Sequence, residues 1–220
     1  FAVLLLTGAA LGDRFGRRRM FVIGVTIFTT ASAMAALAPS IETLILARAL
    51  QGVGGAIVAP LTLTILSASV PADRRGVALG AWGAIGGLAV ALGPLVGGAI
   101  TEGLSWQWIF WLNVPIGIVL VPLAWSRLSE SYGPEGRLDL PGLGLASAGL
   151  LGIVWGVIHG NAEGWTSPSI LGPIVVGFGL LVAFLAWERR APAPMVPPRF
   201  LANKPLNRAN IASLLMSFGM

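Results

Sequence analysis

The stretch Leu11–Arg19, LGDRFGRRR, gathers four arginines and an aspartate into seven residues. The 220-residue chain around it is 55% hydrophobic and only 10% charged, with a mean hydropathy of +0.84. Soluble domains carry about 25% charged residues, so the cluster interrupts a membrane-like sequence. Uncharged runs extend over Met20–Ile41, Ala49–Ala72, Gly76–Thr101, Gly103–Ser126, Leu140–Ala162 and Gly164–Trp187, each 22 to 26 residues long. About 20 residues cross a bilayer as a helix. The runs are continuous and do not alternate every second residue, which predicts helices and not barrel strands. Phe1–Gly12 and Ala209–Met220 add two runs of 12 residues. Phe1–Leu11 lacks the basic start and cleavage site of a signal peptide and reads as a cut span. The expectation is therefore an all-α integral membrane fragment with six complete and two partial spans.

The position of the charges orients these spans. Connections 12–19, 70–76, 127–139 and 188–208 hold four, two, two and five lysines or arginines, whereas 39–42, 101–108 and 159–168 hold none. Thirteen of fourteen basic residues thus fall on one side, which the positive-inside rule makes cytoplasmic. Net charge +5 is accounted for by this asymmetry and gives no reason to invoke nucleic acid. The absence of cysteine excludes disulfides and thiolate metal sites. No phosphate-binding loop or ligand cluster occurs, so no cofactor, nucleotide or metal is expected. An intramembrane enzyme needs a nucleophile with a base, or paired acids, and no span offers either.

Within the cluster, Asp13 and Gly16 suit a tight helix–helix turn, glycine by tolerating positive φ and aspartate by accepting backbone hydrogen bonds. The stretch resembles the major facilitator superfamily signature Gly-x-Leu-Ala-Asp-Arg-x-Gly-Arg-Arg: Asp13, Arg14, Gly16, Arg17 and Arg18 match, while Ala9 and Gly12 replace the leading glycine and the alanine. The resemblance implies a helical-bundle fold and a latch in which Asp13 and the arginines bridge to the far half of a transporter when its cytoplasmic side is closed. The alternative is a solvated turn that only sets topology.

Leu46–Ala56, LARALQGVGGA, resembles the fourth-helix pattern of the same family, an arginine followed by Gln-Gly-x-Gly. The resemblance implies that Arg48 faces the cavity and takes part in proton coupling, with Gln51 one turn along. The rival reading is that Arg48, about five residues into the span and roughly 7–8 Å along its axis, snorkels to the outer headgroups.

Residues 76–100 carry eight glycines and a proline. At 100° per residue, Gly76, Gly80, Gly83, Gly87, Pro94 and Gly98 share one face, with Gly86, Gly93 and Gly97 on a second. Missing side chains let membrane helices approach closely. Gly93-Pro94-Leu95-Val96-Gly97-Gly98 resembles the fifth-helix antiporter signature, associated with exporters; generic tight packing explains the glycine faces without it. Trp106–Gly117 resembles the opening of the sixth helix in the fourteen-helix drug:proton antiporter branch, with Gln107 in place of the usual arginine. Its tryptophans, 106, 108 and 111, also read as an interfacial anchor.

The expected organisation is 1–126 for most of an N-terminal six-helix bundle, 127–139 for a short cytoplasmic connection, and 140–187 for an inserted helix pair. A Pro-rich cytoplasmic linker at 188–206, including APAPMVPP at 191–198, then leads to the start of a C-terminal bundle at 207–220. His159, the only histidine, is expected at the outer interface and not in a relay. Together these readings imply a proton-coupled exporter of amphipathic small molecules in the cell membrane, whose partners are substrate, protons and the bilayer. Its oligomeric state is open, with a monomer expected for the whole protein. A lipid, siderophore or metabolite exporter, or a non-transporting sensor or scaffold, would present the same residues.

Overall fold

The computed structural model describes residues 4–133, 139–191 and 204–218, the side chains of 204–206, 214 and 216–218 excepted. Among the described residues the structure is helical, without strands, and six helices are long and apolar enough to cross a membrane. α1 (Leu5–Phe15) and α2 (Arg17–Ala36) are separated by Gly16 alone, whose φ of +103° a side-chain-bearing residue adopts only with strain.

α3 (Ile41–Ser69) begins with a capping box: Thr43 N–H donates to Ser40 Oγ at 3.4 Å and Ser40 N–H to Thr43 Oγ1 at 3.1 Å. The helix therefore starts well before Ala49, where the uncharged run begins, and takes Glu42 and Arg48 inside it. α4 (Arg75–Gly103) contains Pro94 in its interior. The run expected as one span from Gly103 opens with a turn and continues as α5 (Trp108–Trp111) and α6 (Asn113–Arg127), which meet at Leu112 and together make one spanning segment, Trp108–Arg127. Pro115 lies in the first turn of α6, where a missing N–H costs no intrahelical bond. α7 (Leu140–Glu163) and α8 (Pro168–Glu188) match their expected spans closely. α9 (Lys204–Phe218) begins inside the stretch read as linker; the extended course expected for 191–198 lies, beyond Ala191, outside the described residues.

The chain forms two compact units, residues 1–136 and 137–220. In the first, α2 packs along α3 and α6 around Met20, Phe21, Val25, Ile57, Leu61, Ile65 and Ala124. The α2–α3 approach depends on missing side chains: a Cβ on Gly54 would lie 2.7 Å from Phe28 N and 2.8 Å from Gly24 O. Large apolar residues such as Ile23, Leu63 and Val119 point outward, as suits a hydrocarbon solvent. α4 differs sharply, since none of its residues is buried.

In the second unit α7 and α8 form a hairpin in close backbone contact, a Cβ on Gly177 falling 2.6 Å from Gly149 O. Asp139 caps α7 by accepting the Gly142 N–H at 3.0 Å, and Trp187 Nε1 donates to the same carboxylate at 2.9 Å. His159 stacks on Trp155, with ring centroids 4.0 Å apart.

Candidate functional site

Two polar groupings interrupt the apolar first unit, one at each end of α2. At the basic end, a helix start leaves N–H groups without intrahelical partners, and Gly16 has no side chain to satisfy them. A segment more than a hundred residues away does so. Arg17 N–H donates to the Ser131 carbonyl at 2.9 Å, and Arg18 and Arg19 N–H donate to the two oxygens of Glu130 at 2.9 and 3.3 Å. Glu130 thus caps α2 from outside it, with its negative charge at the positive end of the helix dipole. A Cβ on Gly16 would come within 2.8 Å of that carboxylate carbon, a second reason for glycine. Gly133 N–H closes the strap on the Asp13 carbonyl at 2.9 Å.

The arginines of this turn divide into held and outward members. Arg17 Nε donates to Asp13 Oδ1 at 2.8 Å, and its Nη2 lies 2.8 Å from the same oxygen. Arg18 Nη1 donates to the Leu128 carbonyl at 3.2 Å and more weakly to Trp125 O at 3.5 Å, both at the end of α6, where a cation meets the negative end of the dipole. Its guanidinium lies 4.9 Å from the centre of the Trp125 ring. Arg18 Nε is buried without a hydrogen-bond acceptor among the described residues, Glu130 Oε2 being 3.8 Å away. Arg14, over Phe15 at 5.3 Å, and Arg19, 3.7 Å from Glu130, turn to the surface. The structure therefore brings Asp13, Arg17 and Arg18 into contacts within the first unit and leaves Arg14 and Arg19 presented outward.

At the other end of α2, Arg48 Nη1 donates to Gln51 Oε1 at 2.9 Å, and Gln51 Nε2 donates to Ser32 Oγ across the α2–α3 interface. Gln51 is 3% exposed and Ser32 0%, so this link is sealed from lipid and water. The Arg48 guanidinium also lies 5.7 Å from the Phe110 ring centre. Arg48 is seven residues beyond Ile41, about 10 Å along the axis, and its partner lies deeper in the helix. A snorkelling arginine would reach the opposite way, toward the start of α3 and the outer headgroups. Sequence reasoning named Arg48 and Gln51 but missed Ser32, Glu130 and Trp125. An acid three residues past Arg127, the basic residue that ends the sixth-helix run, was the available signal for Glu130; nothing marked Ser32 among its small neighbours.

The expected antiporter-motif residues Gly83, Gly87, Gly93, Pro94, Gly97 and Gly98 all lie on α4. For the glycines, a Cβ would meet nothing within 4 Å. Both glycine faces are thus open among the described residues, and either lipid or protein outside those residues meets them. Thr101 Oγ1 donates back to the Gly97 and Gly98 carbonyls at 3.0 and 2.9 Å, spending its hydroxyl within α4.

Comparison with known proteins follows this geometry. The sequence pattern described as Major Facilitator Superfamily matches residues 1–140. An MFS-type transporter of Mycobacterium tuberculosis is 37% identical over 219 residues, covering 99% of this chain and 38% of its own length. A puromycin resistance protein of Streptomyces alboniger is 40% identical, covering 93% of this chain and 41% of its own length. A cephamycin export protein of Amycolatopsis lactamdurans is 41% identical, covering 98% of this chain and 45% of its own length. The chain spans roughly two fifths of the length of these relatives.

Proposed function

This chain belongs to the major facilitator superfamily and is part of a multi-pass membrane protein, and from that premise we propose that the whole protein is a proton-driven exporter of amphipathic, toxic small molecules. The observation that carries this reading is that relatives named for antibiotic resistance and for export match nearly the entire chain at 40 and 41% identity. Export against a gradient needs a drive, and a permanently charged arginine such as Arg48, itself exposed but held by the buried Gln51, supplies a group able to depress the pKa of a neighbouring acid. In this proposal Asp13, Arg14, Gly16, Arg17 and Arg18 serve the cytoplasmic latch. Gly83, Gly87, Gly93, Pro94, Gly97 and Gly98 give α4 a pliable packing surface for the rocking of two helical bundles. Residues 1–126 form most of the first bundle, 127–139 connect onward, and the pair at 140–187 stays out of the transport path. The remainder, 188–206 and 207–220, leads into the second bundle.

The test is energised efflux. Cells lacking their own exporters, given the complete transporter and loaded with ethidium, are expected to expel the dye and to stop when a protonophore collapses the proton gradient. Efflux that persists at the same rate without the gradient, or no efflux of ethidium or puromycin at all, overturns the proposal.

A further inference from the structure

The bond from Gln51 to Ser32 has a direction imposed by chemistry. A guanidinium only donates, so Arg48 must face the oxygen of the Gln51 carboxamide, and the amide nitrogen must then find an acceptor on its other side. In a sealed interface that acceptor cannot be water. Ser32 Oγ fills the role at 0% exposure.

Its surroundings single it out. The other buried residues of α2 are Met20, Phe21, Gly24, Val25, Ala31, Ala35 and Ala36, none of which carries a side-chain acceptor of this kind. The threonines of α2 spend their hydroxyls within the helix: Thr26, Thr29 and Thr30 each donate to a carbonyl one turn back at 2.7 to 2.9 Å. The bond of Ser32 instead reaches α3. The glycine contact at Gly24 and Gly54 sets the helix separation at which a side chain as short as serine spans the gap.

We propose that Ser32 is a positioning residue for Arg48: it fixes the orientation of the Gln51 carboxamide, which in turn holds the guanidinium inside the membrane over Phe110. The inference rests on the coupling role proposed for Arg48 but adds a residue on a different helix, so that a shift of α2 against α3 changes the hold on the arginine. Without Ser32 the amide loses the partner that tells its two ends apart, and Arg48 is released toward the outer face.

The experiment uses the complete transporter in proteoliposomes and two readouts. The first is phenylglyoxal modification of Arg48, followed by mass spectrometry of its peptide, which reports the position of the side chain whatever it does in transport. The second is ethidium movement, driven by an imposed pH gradient or running downhill without one. Ser32→Ala is expected to raise modification of Arg48 several-fold. It should lower gradient-driven efflux about tenfold, the scale of one lost hydrogen bond to a charged network, and leave downhill movement within about twofold. Gln51→Ala should do the same, and Ser32→Ala should add nothing in that background, since coupling through a shared partner is non-additive. Unchanged Arg48 modification in Ser32→Ala, or an effect that persists in full beside Gln51→Ala, overturns the positioning role. If Ser32→Ala exposes Arg48 while Arg48→Ala still pumps at the parental rate, the coupling reading of Arg48 fails and the positional result stands by itself.

Discussion

α3 and α4 are each 29 residues long, each contains one internal proline and each is rich in small residues, yet they sit in the fold in opposite ways. Along α3, Gly54 touches the backbone of α2, and Ala47, Gln51, Ala56, Ile57 and Leu61 are buried. Along α4, with nine glycines to the three of α3 (Gly52, Gly54 and Gly55), nothing is buried. Glycine content permits close approach; it does not produce one. What α3 has and α4 lacks within the described residues is a complement on another helix, in which Gly24, Ser32 and Ala35 of α2 stand opposite its own small and polar positions. The open glycine faces of α4 leave room for the backbone of another helix to come close.

The largest expected effect separates these helices directly. Gly54→Leu forces a side chain into the α2 backbone and should cost about 3 kcal/mol or more, seen as loss of the folded, detergent-stable protein in thermal unfolding. Gly83→Leu should leave that stability within about 0.5 kcal/mol and abolish ethidium efflux by the complete transporter. Equal stability losses, or full efflux by Gly83→Leu, would erase the contrast between a face already packed and a face used in motion.

An intermediate effect probes the polar part of the α2–α3 contact. Arg48→Lys keeps the charge but loses the planar fork that donates to Gln51 while lying over Phe110. Gradient-driven efflux is expected to fall about tenfold or more, with expression and downhill ethidium movement retained. Parental efflux in Arg48→Lys would reduce the residue to a membrane anchor, for which lysine serves as well.

The smallest effect lies at the other end of α2. Glu130→Ala uncaps the helix and removes the ion partner of Arg18 and Arg19, at a cost of about 1–2 kcal/mol, measurable as a lower midpoint in thermal unfolding. Glu130→Gln should recover part of it, because an amide oxygen still accepts an N–H. No change in either variant would mean that the strap contributes nothing to holding the basic turn.

Much of the architecture was legible because desolvating a charge in hydrocarbon is costly residue by residue, so that the spans follow from where charges are missing. The same rule misplaced the start of α3: Glu42 and Arg48 are tolerated in its early turns, where Ser40 and Thr43 build a cap and Gln51 supplies an acceptor. It also started the next span too early, at Gly103, since the turn of Leu104 to Gln107 before α5 carries no charge to betray it. Motif spacing located Asp13, Arg17, Arg48 and Gln51. It gave no access to Ser32 or Glu130, whose roles depend on which helices become neighbours: their bonds span 19 and 112 residues of sequence. The α4 motif shows the reverse limit, a pattern plain in sequence for which the described residues supply no counterpart.

The strap at Glu130 has a consequence for the order of events during synthesis. Its carboxylate meets the Arg18 N–H across 112 positions, and at roughly 5–20 residues per second a ribosome needs about 6–20 s to make that length. Through that interval the first turn of α2 carries its arginines without the acid that later binds them, and basic residues are what hold a nascent turn on the cytoplasmic side. The charge cluster is thus at its most topogenic while the helices are being threaded into the bilayer. The acid that meets Arg18 and Arg19 emerges only after α6 has been made, so the part of the positive charge it offsets stays uncompensated until the helices before it exist.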